Sequence, residues 1–125
     1  MKIPRLLWAV SAAPLVVLLI IVCVQRGWWA AGIVVIFAVL PDIALLGAFA
    51  ERGRLKPARV GLYNFLHAVP IALGLSSLGM ILRLLGLDAW WLTVAGLAWL
   101  AHIAVDRLCG YGLRAEDGSI LPVGA

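Results

Sequence analysis

Charged residues are scarce in this sequence of 125 residues. They make up 13% of the chain, whereas hydrophobic residues make up 65%. A soluble domain typically has about 25% charged and about 45–50% apolar residues. A chain of this length has too small an interior to bury such an excess of apolar side chains. The composition therefore excludes an ordinary water-soluble fold and indicates a membrane protein, in which lipid covers the apolar surface.

Cysteines and catalytic sequence motifs are also scarce. The only two cysteines, Cys23 and Cys109, fall at opposite sides of the membrane in the topology predicted below, and a disulfide requires Cα atoms within about 7 Å. The chain has no phosphate-binding glycine loop, no C-x-x-C pair and no serine-nucleophile motif. These absences argue against an intramolecular disulfide, a nucleotide-binding loop and a serine hydrolase.

Four long apolar runs carry the hydrophobic excess, at residues 6–24, 28–50, 60–85 and 90–108. Each is close to or above the ~20 residues that a helix needs to cross a bilayer. The first run is longer than the core of a signal peptide, about 7–15 residues, and no small-x-small cleavage site follows it. The sequence therefore predicts an all-α integral membrane bundle of four transmembrane helices. We expect a single domain over 1–125, with a short, loosely ordered cytoplasmic tail at 113–125.

Basic residues are concentrated on one side of this predicted bundle. With the N-terminus in the cytoplasm, only Arg26 and Arg83 face outward. The residues on the inner side are Lys2, Arg5, Arg52, Arg54, Lys56, Arg59, Arg107 and Arg114. The positive-inside rule thus predicts an N-in, C-in orientation. Anionic lipid headgroups account for the formal net charge of +4, so no nucleic-acid partner is expected; a homo-oligomer is compatible with a unit this small.

Polar residues interrupt three of the apolar runs at similar depths. Asp42, Asn64, His67 and His102 all lie about 8–13 Å from the predicted cytoplasmic boundary at a helical rise. Asp106 follows His102 by four residues and shares its helix face. An acidic residue at mid-helix depth costs on the order of 2.5–3.5 kcal/mol on insertion, so such residues usually face the bundle interior and serve a function. We therefore predict one polar layer near the cytoplasmic face.

Two prolines occur beside this layer. Pro41 and Pro70 cannot donate a hydrogen bond to the carbonyls of Phe37 and Leu66. Free backbone acceptors are therefore expected next to Asp42 and close to the third helix's histidine. Interrupted helices of this kind are common where membrane proteins build a binding site.

The polar layer has two main interpretations, beside the handling of protons or ions, for which histidine–carboxylate chains are also suited. It can form interhelical hydrogen bonds, each contributing about 0.6 kcal/mol, that fix helix order or bind a ligand or partner. It can also bind a divalent metal, namely Zn, Fe or Mn. The metal ligands would then be Asp42, His67, His102 and Asp106, with Asn64 and Arg107 supporting them. The sequence favours a structural or binding role. The alternative is a metal-dependent hydrolase that acts on a lipid or phosphoester at the inner leaflet. The sequence leaves open whether the protein is an enzyme.

Three segments resemble a known family. They are LPDIALLG at 40–47, YNFLH at 63–67 and AHIAVDRLCGYGLR at 101–114. Together they are similar to the bacterial domain-of-unknown-function family 4260, and the H-x-x-x-D-R-x-x-G-Y-G-L pattern of the third is the most specific. The resemblance implies a small multi-pass protein of the bacterial inner membrane and no established activity. The short Leu-Pro-Asp segment also resembles membrane-bound metal-dependent hydrolases.

Overall fold

The computed structural model describes residues 3–124 and contains five α-helices and one β-hairpin. The helices are α1 (Ile3–Arg26), α2 (Trp28–Val39), α3 (Pro57–Leu66), α4 (Val69–Leu84) and α5 (Trp90–Cys109). A 3-10 helix (Leu40–Leu45) continues α2, and the hairpin pairs β1 (Phe49–Glu51) with β2 (Arg54–Leu55). Lys2, which we counted among the inner basic residues, lies outside the described residues, as do Met1 and Ala125.

Four helical segments are long and apolar enough to cross a membrane, as the sequence predicted. They are Ile3–Arg26, Trp28–Leu45, Pro57–Leu84 and Trp90–Cys109. The prediction that the second helix extends to residue 50 was wrong, because the chain turns at Gly47 (φ 63°) and enters the hairpin. The third begins at Pro57 instead of residue 60, since proline suits the first turn of a helix.

The last helix is the centre of the bundle. Half of the residues in the apolar part of α5 are buried, and the helix packs against α1, α2 and α4. Glycines bring α4 and α5 close together: Gly79 faces the backbone of Thr93, and Gly96 faces that of Ser76. Small residues allow this close approach between membrane helices, where dispersion contacts drive association.

The C-terminal segment is folded, which corrects the expectation of a loosely ordered tail. Leu121 N–H donates to the Leu113 carbonyl over 2.8 Å, and Leu55 N–H donates to the Gly118 carbonyl over 3.0 Å. The tail therefore forms a small turn that packs on the hairpin. Within that turn, hydrogen bonds from the hydroxyl and the N–H of Ser119 hold the pKa of Asp117 below its ordinary value.

Candidate metal centre

The four sequence-predicted metal ligands meet at one point of the bundle. Asp42, His67, His102 and Asp106 each present one ligand atom, and these four atoms lie within 4.8 Å of one another. The Nε2 atom of His67 is 3.7 Å from Asp42 Oδ1 and 3.4 Å from Asp106 Oδ2. The Nε2 atom of His102 is 3.5 Å from each of the same two oxygens. The two Nε2 atoms are 3.4 Å apart.

Two of these side chains come from interruptions in helices. Asp42 follows Pro41 within the 3-10 helix Leu40–Leu45, where the backbone departs from the α-helical pattern. His67 follows the last residue of α3 and precedes α4, so it lies where the third spanning segment changes direction. His102 and Asp106 are four residues apart on the regular helix α5 and therefore point the same way.

The spacing of the four atoms differs from that of a hydrogen-bond network. Charge-assisted N–H···O bonds are about 2.7–2.9 Å long, whereas the measured nitrogen–oxygen distances are 3.4–3.7 Å. A metal ion about 2.0–2.2 Å from each ligand atom of a tetrahedron separates those atoms by about 3.3–3.6 Å. Five of the six distances between the ligand atoms, namely the four nitrogen–oxygen distances and the 3.4 Å between the two Nε2 atoms, thus match the edges of a tetrahedral site better than direct hydrogen bonds.

Backbone and aromatic contacts fix the orientation of His67. Its Nδ1 lies 2.9 Å from the carbonyl of Tyr63, and because a carbonyl can only accept, Nδ1 carries the proton. The Tyr63 ring stacks on the imidazole with centroids 3.9 Å apart and planes 17° apart. In its neutral form, His67 therefore directs the lone pair of Nε2 at the two carboxylates. This is the arrangement in which histidines usually bind metals.

The interruption between α3 and α4 is stabilised by two side chains from α5. Trp99 Nε1 donates to the carbonyl of Leu66 over 2.7 Å. Arg107 donates from Nη2 to the His67 carbonyl over 3.1 Å and from Nη1 to the Tyr111 carbonyl over 2.6 Å. The free Leu66 acceptor expected from Pro70 therefore has a partner. Arg107, predicted to lie beside the ligands, bonds the backbone of His67 and not a carboxylate.

Asn64 does not contact the four ligands, in contrast to its predicted role beside them. Its side chain accepts from the Arg114 N–H over 2.8 Å and donates to the Arg114 carbonyl over 2.9 Å. The Arg114 guanidinium bonds the carbonyls of Gly53 and Gly118 and lies over the Tyr63 ring, 5.2 Å from its centroid. Asn64 therefore attaches the C-terminal segment to α3.

Sequence reasoning did not find the supporting roles of Tyr63, Trp99 and Arg114. Arg114 was predicted only to be one of the inner basic residues. One signal was present for Trp99, because a tryptophan N–H is a suitable donor for the acceptor that Pro70 leaves free. The signal for Tyr63 is its spacing from His67, because residues four apart on a helix lie on the same face.

The ligand side chains differ in their access to the surroundings. The side chain of His67 is fully buried, while those of His102, Asp106 and Asp42 are 11%, 21% and 46% exposed. An apolar groove of about 600 Å³ runs along α1, α2 and α5 and ends at His102 and Asp106. A second cavity, of about 400 Å³, lies between the C-terminal segment and the interruption after α3, and is lined by His67 and Arg107.

The fold and site define a small helical protein with four candidate membrane spans and a partly buried histidine–aspartate cluster. A family model for a domain of unknown function, DUF4260, matches residues 6–120. The chain therefore belongs to the DUF4260 family. No curated protein and no solved structure matches it.

Proposed function

We propose that this protein spans the bacterial inner membrane four times, with both termini in the cytoplasm, and binds one divalent metal ion near the cytoplasmic face. The hairpin and the C-terminal segment pack together at one end of the bundle. Arg52, Arg54, Lys56, Arg59 and Arg114 belong to this end. Their shared location supports an orientation in which this end faces the cytoplasm.

The observation that carries the metal proposal is the 3.4–3.7 Å spacing of two imidazole nitrogens and two carboxylate oxygens. When the histidines are neutral, His67 presents a lone pair to oxygens that are also acceptors, and this arrangement needs a cation. One divalent ion neutralises the two carboxylates, which removes the electrostatic cost of holding them at membrane depth. Mixed nitrogen and oxygen ligands in a tetrahedron favour Zn²⁺, while Fe²⁺ and Mn²⁺ accept the same ligand types.

The test is the metal content of protein purified in detergent without chelator. We expect about one zinc per chain by mass spectrometry, and loss of that zinc in His102→Ala and Asp106→Asn. Asp88→Asn is the matched control, because Asp88 is an exposed carboxylate at the far end of α4 and should not affect binding. If the wild type binds no metal even after zinc, iron and manganese are supplied again, the hydrogen-bond network is the better interpretation.

A hydrolase is the reaction class that this site supports. With the half-exposed Asp42 displaced, His67, His102 and Asp106 remain as two histidines and one carboxylate, the ligand set of several zinc hydrolases. A metal held by these three residues would supply a Lewis acid for hydrolysis of an ester. The water oxygen would form a bond to the carbonyl carbon, and the bond from that carbon to the alcohol oxygen would break. Asp42 would take the proton lost by water and pass it to the leaving alkoxide, so the products would be a carboxylic acid and an alcohol.

A further inference from the structure

We infer that the apolar groove between α1, α2 and α5 holds the hydrocarbon chain of a neutral carboxylic ester, with the ester carbonyl at His102 and Asp106. This inference rests on the proposed metal site and names its substrate class. Apart from the two site residues, the groove is lined by aliphatic and other apolar side chains, among them Val16, Ile20 and Val34.

The length of the groove fits a single hydrocarbon chain. Along α2 it extends from Gly27, at the turn after α1, to Ala38, a distance of about 16 Å at the rise of an α-helix. An ordinary acyl chain has about this length, since half of a bilayer's hydrocarbon core is about 15 Å thick. The groove is therefore long enough for one such chain and has a polar group at only one end.

The charges at the polar end favour an ester without a phosphate. His102 and Asp106 reach the groove, and no lysine or arginine is among its lining residues in the described part of the chain. The nearest guanidinium along α5, that of Arg107, donates to two backbone carbonyls and lines the other cavity. With a divalent ion and two carboxylates the site is neutral, so it offers no charge to balance a phosphate. A carboxylic ester needs none.

Photo-cross-linking locates the chain without requiring turnover. Zinc-loaded protein in phosphatidylcholine nanodiscs is irradiated with methyl dodecanoate that carries a diazirine near its methyl end, and labelled residues are mapped by mass spectrometry. We expect labels at Val24 and Trp28, beside the α1–α2 turn. A second probe with the diazirine next to the ester should label Val105, at the site end of the groove. Labelling spread equally over the lipid-facing residues Met80 and Ile81 of α4 would overturn the groove assignment.

Paired valines provide matched variants for the same assay. Val16→Phe and Val34→Phe narrow the groove, whereas Val17→Phe and Val35→Phe add the same atoms at neighbouring positions that do not line it. Crowding of an apolar site typically weakens binding tenfold or more. We therefore expect the groove variants to lower labelling by the probe roughly tenfold. Equal labelling in all four variants would contradict the inference. So would conversion of a dimer to a monomer by the groove variants alone, because the groove would then hold a second copy of the chain.

Two further readouts separate this inference from the proposed function. Hydrolysis of 4-nitrophenyl dodecanoate should fall roughly tenfold in Val34→Phe and stay unchanged in the control Val35→Phe. Groove labelling in a protein that binds no metal would contradict the proposed function but would support the placement of the hydrocarbon chain in the groove. Zinc binding with labelling outside the groove would overturn the chain assignment alone.

Discussion

Trp99→Phe tests whether one hydrogen bond holds the interruption between α3 and α4. The indole Nε1 of Trp99 donates to the Leu66 carbonyl over 2.7 Å, and Pro70 has no N–H to replace it. Phenylalanine keeps an aromatic ring at this buried position but leaves the carbonyl without a partner. An unsatisfied buried acceptor costs about 1–3 kcal/mol, so we expect the free energy of unfolding to fall by about 2 kcal/mol.

The same substitution should also weaken the metal site. Leu66 precedes His67, and the position of its carbonyl helps to set where the His67 backbone lies. Loss of groups that orient a metal ligand typically lowers metal affinity about 10–100-fold. We therefore expect roughly tenfold weaker zinc binding, at the low end of that range because Arg107 still holds the His67 carbonyl.

The assays are chemical unfolding in detergent micelles and competition for zinc with a chromogenic chelator. Trp91→Phe is the control, since Trp91 lies on the same helix and is 43% exposed. If Trp99→Phe unfolds and binds zinc like the wild type, the Leu66 hydrogen bond has no role in the fold or the site. If stability falls while zinc affinity is unchanged, the bond supports the helix interruption but does not position His67.

Two other substitutions test the packing around the site. Asn64→Ala removes both hydrogen bonds to the Arg114 backbone. Amide hydrogen exchange at Arg114 should therefore speed up roughly tenfold or more, measured against the unaffected core of α5. Unchanged exchange would show that the tail is held by other contacts. Gly96→Ala places a methyl group against the Ser76 backbone and should lower the free energy of unfolding by about 1–3 kcal/mol. Gly74→Ala on α4 meets nothing within 4 Å and should be neutral or stabilising in the same measurement, and an equal loss in both variants would contradict the packing argument.

The four candidate ligands were predictable because polar residues stand out in apolar helices. Asp42, His67 and His102 were placed at similar depths by counting residues along antiparallel helices, and Asp106 follows from the four-residue step. Counting brought them together although the second span ends at Leu45 and the third is interrupted at His67. Asn64 shows its limit: a similar depth does not give the direction of a side chain. The chain changes direction at His67, so Asn64 faces the tail while His67 faces the cluster.

The hairpin and the folded tail were not predictable from composition. Residues 46–50 are apolar except for a glycine and read as the end of a helix, but Gly47 adopts a positive φ and ends the span at Leu45. The tail has the polar and glycine-rich composition of a mobile segment. Its order comes from long-range bonds, such as those of Asn64 and Leu55, that join it to residues about 50 positions away along the chain or more. Such contacts leave no periodic pattern in the sequence.

The two cavities offer the proposed reaction separate routes for the lipid ester and for water. A hydrolase acting on a lipid ester needs a path for hydrocarbon and another for water. The groove along α1, α2 and α5 reaches the cluster at His102 and Asp106, and the cavity beneath the C-terminal segment borders His67. On the proposed orientation the second cavity lies toward the cytoplasm, so ester and water approach the cluster from different sides. The folded tail lines only the second cavity, and its attachment through Asn64 therefore bears on the entry of water and not on the binding of the chain.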